Sequence, residues 1–138
     1  MRVNERLAAL TRRAGRDLDA SRAALAIMRA SSLLSREIER AAAGANLTLP
    51  QFNVLMELAS SPNGVLPMHA LADRLIATPP SLSWLTSRMS DSGLITKERS
   101  AEDGRVVLLA ITAAGWEGVA QAMPQVFDVE KRLWHGYP

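Results

Sequence analysis

The sequence predicts a mainly α-helical chain that carries one small β-hairpin. Three observations support this. Apolar residues recur at three- and four-residue intervals through most of the chain. Helix-start and helix-stop residues bracket those stretches. One segment, Gly93–Thr112 (GLITKERSAEDGRVVLLAIT), breaks the helical period with two short strand-like runs joined by a charged tip.

The elements follow in chain order. Leu7, Leu10, Ala14 and Leu18 share one face, with Arg6, Arg12, Arg13 and Arg16 largely on others, giving an amphipathic helix over roughly Asn4 to Asp19. A second helix runs from about Ser21 to Ala43, with Ile27, Leu34, Ile38 and Ala41 on a stripe and Gly44 as the expected stop. Nothing near Ala20 forbids the two from being continuous. In LTLPQFNVLMEL, Thr48 and Gln51 form a capping box, Pro50 sits in the first turn, and Phe52, Leu55, Met56 and Ala59 face inward. SSPNG ends that helix. Val65 and Leu66 suit a very short strand, and Pro67 opens a short helix whose apolar face is Leu71, Ala72 and Leu75.

The next helix is opened by Thr78 as N-cap with Pro79 and Pro80 in its first turn, and is closed by Gly93 at the C′ position. Leu82, Leu85 and Met89 form its buried side. Pro80, Trp84 and Ser87 point the other way, flanked by Ser83 and Arg88. The hairpin follows. Thr112 then caps a helix expected to run to about Met123, where Pro124 interrupts it, leaving a short last helix and tail in QVFDVEKRLWHGYP.

Composition narrows the function classes. The chain has 138 residues, 48% hydrophobic and 22% charged, the profile of one globular domain. No apolar run reaches the ~18–20 residues of a membrane span. MRVNERLAALTRR lacks a signal-peptide pattern, so a cytoplasmic location is expected. The sequence contains no cysteine, which excludes a disulfide scaffold, a thiolate metal site and a thiol switch within it. His69 and His135 stand far apart with no ligand cluster, and no phosphate loop, nucleophile elbow or spaced carboxylate pair is present. No cofactor, no metal and no enzymatic activity are expected.

Charge is less direct. Net charge is +2. Residues 1–46 hold nine arginines against five acidic residues, whereas Leu71–Val107 hold five of each sign. The tip KERSAEDGR carries three of each. Charge alone does not nominate the middle of the chain as a nucleic-acid reader.

The order of elements, a short helix, a turn, a second helix with a small polar outer face and then a two-stranded ribbon, is the layout of a winged helix-turn-helix. Here the residues resemble the multiple antibiotic resistance regulator (MarR) transcription factors, over roughly Leu47 to Gly115. The likeness runs through LTLPQFNVLMEL, LADRL, TPPSLSWLTSRMSDSGLI and KERSAEDGRVVLLAITAAG. Its most specific part is Gly93-Leu94-Ile95, then Asp103-x-Arg105, then Thr112-x-x-Gly115.

The resemblance implies a homodimer on double-stranded DNA, each reading helix in a major groove and each wing near the adjacent minor groove. It implies a ligand-responsive repressor whose effector, a small apolar or aromatic acid, is wedged between the dimer helices and the DNA-binding lobe. It divides the chain into N-terminal dimerisation helices (1–46), a DNA-binding lobe (47–112) and C-terminal dimerisation helices (113–138), intertwined as one domain. The family's wing aspartate maps onto Asp103, which fixes the turn and aims Arg105; a tip of zero net charge then still presents a cation. DNA contacts are expected from Thr78, Ser81, Ser83, Trp84, Ser87, Arg88, Lys97, Arg99 and Arg105.

Several residues admit two readings. Trp84, where the family more often has a polar or basic residue, either presses on a thymine methyl or sugar, or packs on neighbouring wing or arginine side chains. The serines either bond base edges or phosphates, or simply face solvent. Arg74 is a phosphate contact or pairs with Asp73 or Asp91. The arginine-rich first helix adds to the dimer or the DNA contact, or only covers the core. The family's long last helix is short here: the dimer layer is reduced, or the extra N-terminal helix replaces part of it, or the chain is a piece of a longer one. The alternative to a DNA-binding regulator is a winged-helix protein–protein module, which the neutral wing and outward Trp84 would suit.

Overall fold

The computed structural model describes residues 3–13, 18–75 and 78–135. Helix α1 spans Val3–Arg13 and α2 spans Leu18–Ala43. They are followed by α3 (Leu49–Ala59), a 3₁₀ turn (Pro62–Gly64), β1 (Val65–Pro67), α4 (Met68–Leu75) and α5 (Pro79–Asp91). The chain then forms β2 (Ile95–Arg99), β3 (Val107–Ile111) and α6 (Ala113–His135). The three strands make one antiparallel sheet in the order β1-β3-β2, with Leu66 and Lys97 both in register with Leu109. This is the expected mainly helical fold with a small β wing. Whether α1 and α2 are continuous, and the positions of Ala14 and the last three residues, lie outside the described residues, as does the Leu7 side chain.

The chain forms two compact units, Met1–Arg36 and Glu37–Pro138. In the first, Leu10, Leu25, Ile27, Met28 and Leu33 are all exposed, Ile27 at 70%. The expected stripe of α2 is thus buried only toward its C-terminal end: Ala41 and Ala42 join the core of the second unit, with Ile38 packed beside them. That core is built from Phe52, Val54, Leu55 and Leu58 of α3, Leu71 of α4, Leu82 and Met89 of α5, Ile95 and Leu109 of the sheet, and Val119, Ala122 and Val126 of α6. Each fully buried leucine or methionine contributes about 1.5–3 kcal/mol relative to exposure.

The caps follow local chemistry. Thr48 Oγ1 accepts from the Gln51 N–H at 3.3 Å, and Gln51 Oε1 accepts from the Thr48 N–H at 3.0 Å, the capping box read from the sequence. Helix α2 ends at Ala43, directly before Gly44 as expected, but Gly44 is not the left-handed residue of the reversal. Asn46 takes the left-handed conformation (φ 57°), so that its N–H reaches the Ala43 carbonyl and the Leu47 N–H the Ala42 carbonyl. Asparagine tolerates that region through its short polar side chain. Gly93 (φ 80°) does close α5 as expected, with Leu94 N–H on the Met89 carbonyl and Gly93 N–H on Ser90.

Pro124 does not interrupt the last helix: α6 runs unbroken for 23 residues. The proline removes the donor for the Ala120 carbonyl, but both residues lie on the exposed side, where water can serve that carbonyl. On the opposite side Val119, Ala122, Val126 and Val129 are buried and hold the helix through the proline.

The Thr112-x-x-Gly115 motif joins wing to helix. Thr112 Oγ1 lies 2.6 Å from the Gly93 carbonyl and accepts from the Gly115 N–H at 3.1 Å. A β-carbon at Gly115 would collide with the Leu94 carbonyl and fall 2.7 Å from Ile111 Cγ1. Only glycine lets α6 start this close to the hairpin.

Candidate nucleic-acid interface

Helix α5 has one hidden and one open side. Leu82 and Met89 are buried and Leu85 is half-buried, as their spacing requires. Thr86, which the sequence pattern does not single out, is also fully buried. Its hydroxyl donates back to the Leu82 carbonyl at 2.9 Å, which removes the penalty of an unpaired buried polar group. Pro80, Ser81, Ser83, Trp84 and Arg88 are exposed, and Ser87 is half-buried.

At the helix start, Thr78 occupies the N-cap position with extended backbone, yet its side chain accepts no helix N–H. Pro79 and Pro80 have no N–H to offer, so two donors of the first turn are missing, the N2 donor that a cap can serve among them. The Thr78 hydroxyl instead donates to Ser81 Oγ at 3.1 Å, and Ser81 Oγ donates to the Thr78 carbonyl at 3.2 Å. Both hydroxyls remain at the exposed end of α5.

Further along, the Trp84 indole is 64% exposed, and the Arg88 guanidinium carbon lies 5.0 Å from its ring centroid. This realises the packing of Trp84 on an arginine, one of its two sequence readings. Among the described residues Arg88 has no carboxylate partner and donates no hydrogen bond, leaving its N–H edge available.

The wing is fixed from within. Asp103 Oδ1 accepts from the Arg105 N–H at 3.0 Å, and the Asp103 carbonyl accepts from the Val106 N–H at 2.9 Å. Ser100 Oγ accepts from the N–H groups of Glu102 and Asp103, and the Ser100 N–H closes the loop onto the Val106 carbonyl at 2.8 Å. The carboxylate of Asp103 is thereby turned to the backbone of its own turn. Arg105 is exposed, and among the described residues its guanidinium has no partner.

The other two wing cations are already engaged. Arg99 Nη1 donates to the Gly104 carbonyl at 2.7 Å, bracing the tip. Lys97 is half-buried with its Nζ 2.9 Å from Ser87 Oγ and 3.4 Å from the Ser83 carbonyl. It therefore ties β2 to α5, a role that no local sequence signal announces. Arg74 pairs with neither Asp73 nor Asp91: its Nη1 donates to Glu57 Oε2 at 3.3 Å and to Ser61 Oγ at 3.2 Å, which secures α4 to α3. His69 is exposed, and among the described residues no group of His, Asp or Glu could hold a metal ion. No helix among them is long and apolar enough to cross a membrane.

Comparison with known proteins agrees with this geometry. The MarR family profile matches residues 45–106. Transcriptional regulator HosA of Escherichia coli O127:H6 is 32% identical over 79 residues, 57% of this chain and 57% of its own length, so the chain spans little more than half of that relative. The uncharacterized HTH-type transcriptional regulator ML2140 of Mycobacterium leprae is 32% identical over 103 residues, 75% of this chain and 68% of its own. Among solved structures, Sco5413, a MarR family transcriptional regulator from Streptomyces coelicolor, superposes with a TM-score of 0.75 at 29% identity, covering 88% of this chain and 84% of that one. Sco3205 from the same organism, solved in complex with DNA, shares the fold at a TM-score of 0.78 and 22% identity, over 88% of this chain and 77% of its own. The chain belongs to the MarR family of transcriptional regulators.

Proposed function

We propose that the protein is a homodimeric, sequence-specific binder of duplex DNA that acts as a ligand-responsive repressor. The observation that carries the DNA reading is the disposition of charge. Arg88 and Arg105 present uncommitted guanidinium groups, while the Asp103 carboxylate is absorbed by the turn that holds Arg105. A locally neutral sequence thus shows cations outward, and phosphate neutralisation needs only those. Thr78, Ser81 and Ser83 add exposed hydroxyls along the same helix. Lys97 and Arg99 serve the interface chiefly by holding α5 and the wing tip in place, with their remaining N–H groups facing phosphates. That Sco3205 was solved with DNA supports the same use of this fold.

The dimer reading is supported by the exposed apolar residues of α2, Leu25, Ile27, Met28 and Leu33, a surface that a soluble helix normally covers. A two-fold dimer would set its reading helices about 34 Å apart, one duplex turn. For the effector, a groove of about 580 Å³ between the end of α2 and α6 is lined by Ala41 and Val129 and by the charged side chains Glu37, Arg40, Asp128, Lys131 and Arg132. Glu37 already pairs with Arg40 at 2.7 Å and lies 3.8 Å from Arg132, so Lys131 is the lining cation with which a carboxylate would pair without displacing Glu37. Filling it would bias the spacing of the reading helices and so change operator affinity.

The test is a band-shift at low salt on random duplex DNA, followed by selection of preferred duplexes. The proposal expects retardation, weaker retardation by Arg105→Ala at the same salt, and enrichment of an inverted repeat. No retardation at low salt, with Arg105→Ala behaving like the parent, would identify a protein–protein module instead.

A further inference from the structure

We infer that Trp84 and Arg88 act as one composite base reader that selects a guanine beside a thymine in the major groove. The inference rests on the DNA-binding reading above and narrows it to a base pattern. The two residues are one helical turn apart on the open side of α5, with the guanidinium carbon 5.0 Å from the indole centroid.

The guanidinium carbon lies over the indole ring, an attraction that uses the cation's charge and none of its N–H donors. Among the described residues no acceptor claims them, in contrast to Arg74 and Arg99. A planar donor fork held in one orientation matches the O6 and N7 acceptors of guanine. The ring that orients it is itself 64% exposed, and the one apolar feature a major groove offers such a surface is the thymine methyl. Base pairs stack about 3.4 Å apart, so groups separated by 5.0 Å reach the same or neighbouring pairs. The guanine and thymine must therefore adjoin.

The serines cannot carry this discrimination. Ser87 Oγ is taken by Lys97 and Ser81 Oγ by Thr78, and a hydroxyl that both donates and accepts separates bases poorly. The indole–guanidinium pair is the part of α5 with a fixed donor pattern and an apolar neighbour. Trp84 is a contact residue for the methyl and a positioning residue for Arg88.

The experiment uses the full chain and a duplex selected from a random pool. Each thymine is replaced in turn by deoxyuridine, which lacks the methyl, and each guanine by 7-deazaguanine, which lacks the N7 acceptor. For the parent, one guanine replacement per half-site should weaken binding roughly 5- to 160-fold, and deoxyuridine beside it roughly fourfold. Trp84→Ala should lose the deoxyuridine effect and shrink the guanine effect, and Trp84→Phe should restore part of the latter. Arg88→Ala should lose the guanine effect, and Arg88→Lys, whose ammonium still donates but lacks the planar fork, should keep the salt dependence and only part of the guanine effect. Thermal melting of each variant establishes that it is folded. If Trp84→Ala and Arg88→Ala keep the parent's sensitivity to both replacements, this inference is overturned while DNA binding stands. If the parent retards no duplex at low salt, both readings fall.

Discussion

Asp103 offers the sharpest separation between a charge that acts on DNA and a charge that acts on its own turn. Its Oδ1 accepts the Arg105 N–H at 3.0 Å, and its main chain closes the loop through Val106. Replacing it with alanine removes the side-chain acceptor and keeps the backbone bonds. A single exposed hydrogen bond contributes about 0.5–1.5 kcal/mol net, so the turn should populate its Arg105-presenting form less by roughly 2- to 12-fold. Asparagine at the same position retains an oxygen acceptor and removes a negative charge that would otherwise approach phosphates. Fluorescence anisotropy on a selected duplex should therefore show Asp103→Ala weaker by about that factor and Asp103→Asn equal to or tighter than the parent. The unfolding midpoint should move little for either, because the tip is exposed. An Asn variant as weak as the Ala variant, or an Ala variant that binds like the parent, would refute the idea that this carboxylate serves the turn.

Three other perturbations report on the frame. Gly115→Ala places a methyl against the Leu94 carbonyl and Ile111; overpacking of this kind costs about 1–3 kcal/mol, visible as a lower denaturant midpoint. Met89→Ala empties a fully buried site under α5 and should cost about 2–5 kcal/mol, against little change for Ser83→Ala on the open side. Ile27→Glu together with Met28→Glu on the exposed stripe of α2 should shift sedimentation toward the monomer and leave unit 37–138 folded by circular dichroism; a dimer unchanged by both would relocate the interface.

The parts of the fold legible in the sequence are those fixed by neighbours in the chain. Thr48 and Gln51 announce their capping box because both partners lie within one turn. Gly93 announces the end of α5 because a left-handed residue there has few substitutes. The alternation of Leu82, Leu85 and Met89 against Trp84 and Arg88 separates the hidden from the open side of the reading helix. Pro124 misleads because its local cost is offset by four buried residues on the far side of α6, a tertiary effect. Asn46 rather than Gly44 takes the left-handed conformation after α2 because the reversal depends on where Leu47 must enter the core, at 5% exposure. The Lys97–Ser87 and Arg74–Glu57 contacts join residues 10 and 17 positions apart. Side-chain pairs at that separation leave no periodic trace, so the sequence suggested Lys97 as a phosphate ligand and Arg74 as a phosphate contact or a partner of Asp73 or Asp91.

The most direct test of the central claim, that Arg105, held stiffly by the turn of the wing, meets the phosphates of a duplex, is the slope of log affinity against log salt for the parent and for Arg105→Ala. Each phosphate contact contributes about 0.9 to that slope on duplex DNA. The account predicts a steep parent slope that falls by about 0.9 per protomer contact when Arg105 is removed. A parent slope near zero, or one that Arg105→Ala leaves untouched, would contradict it.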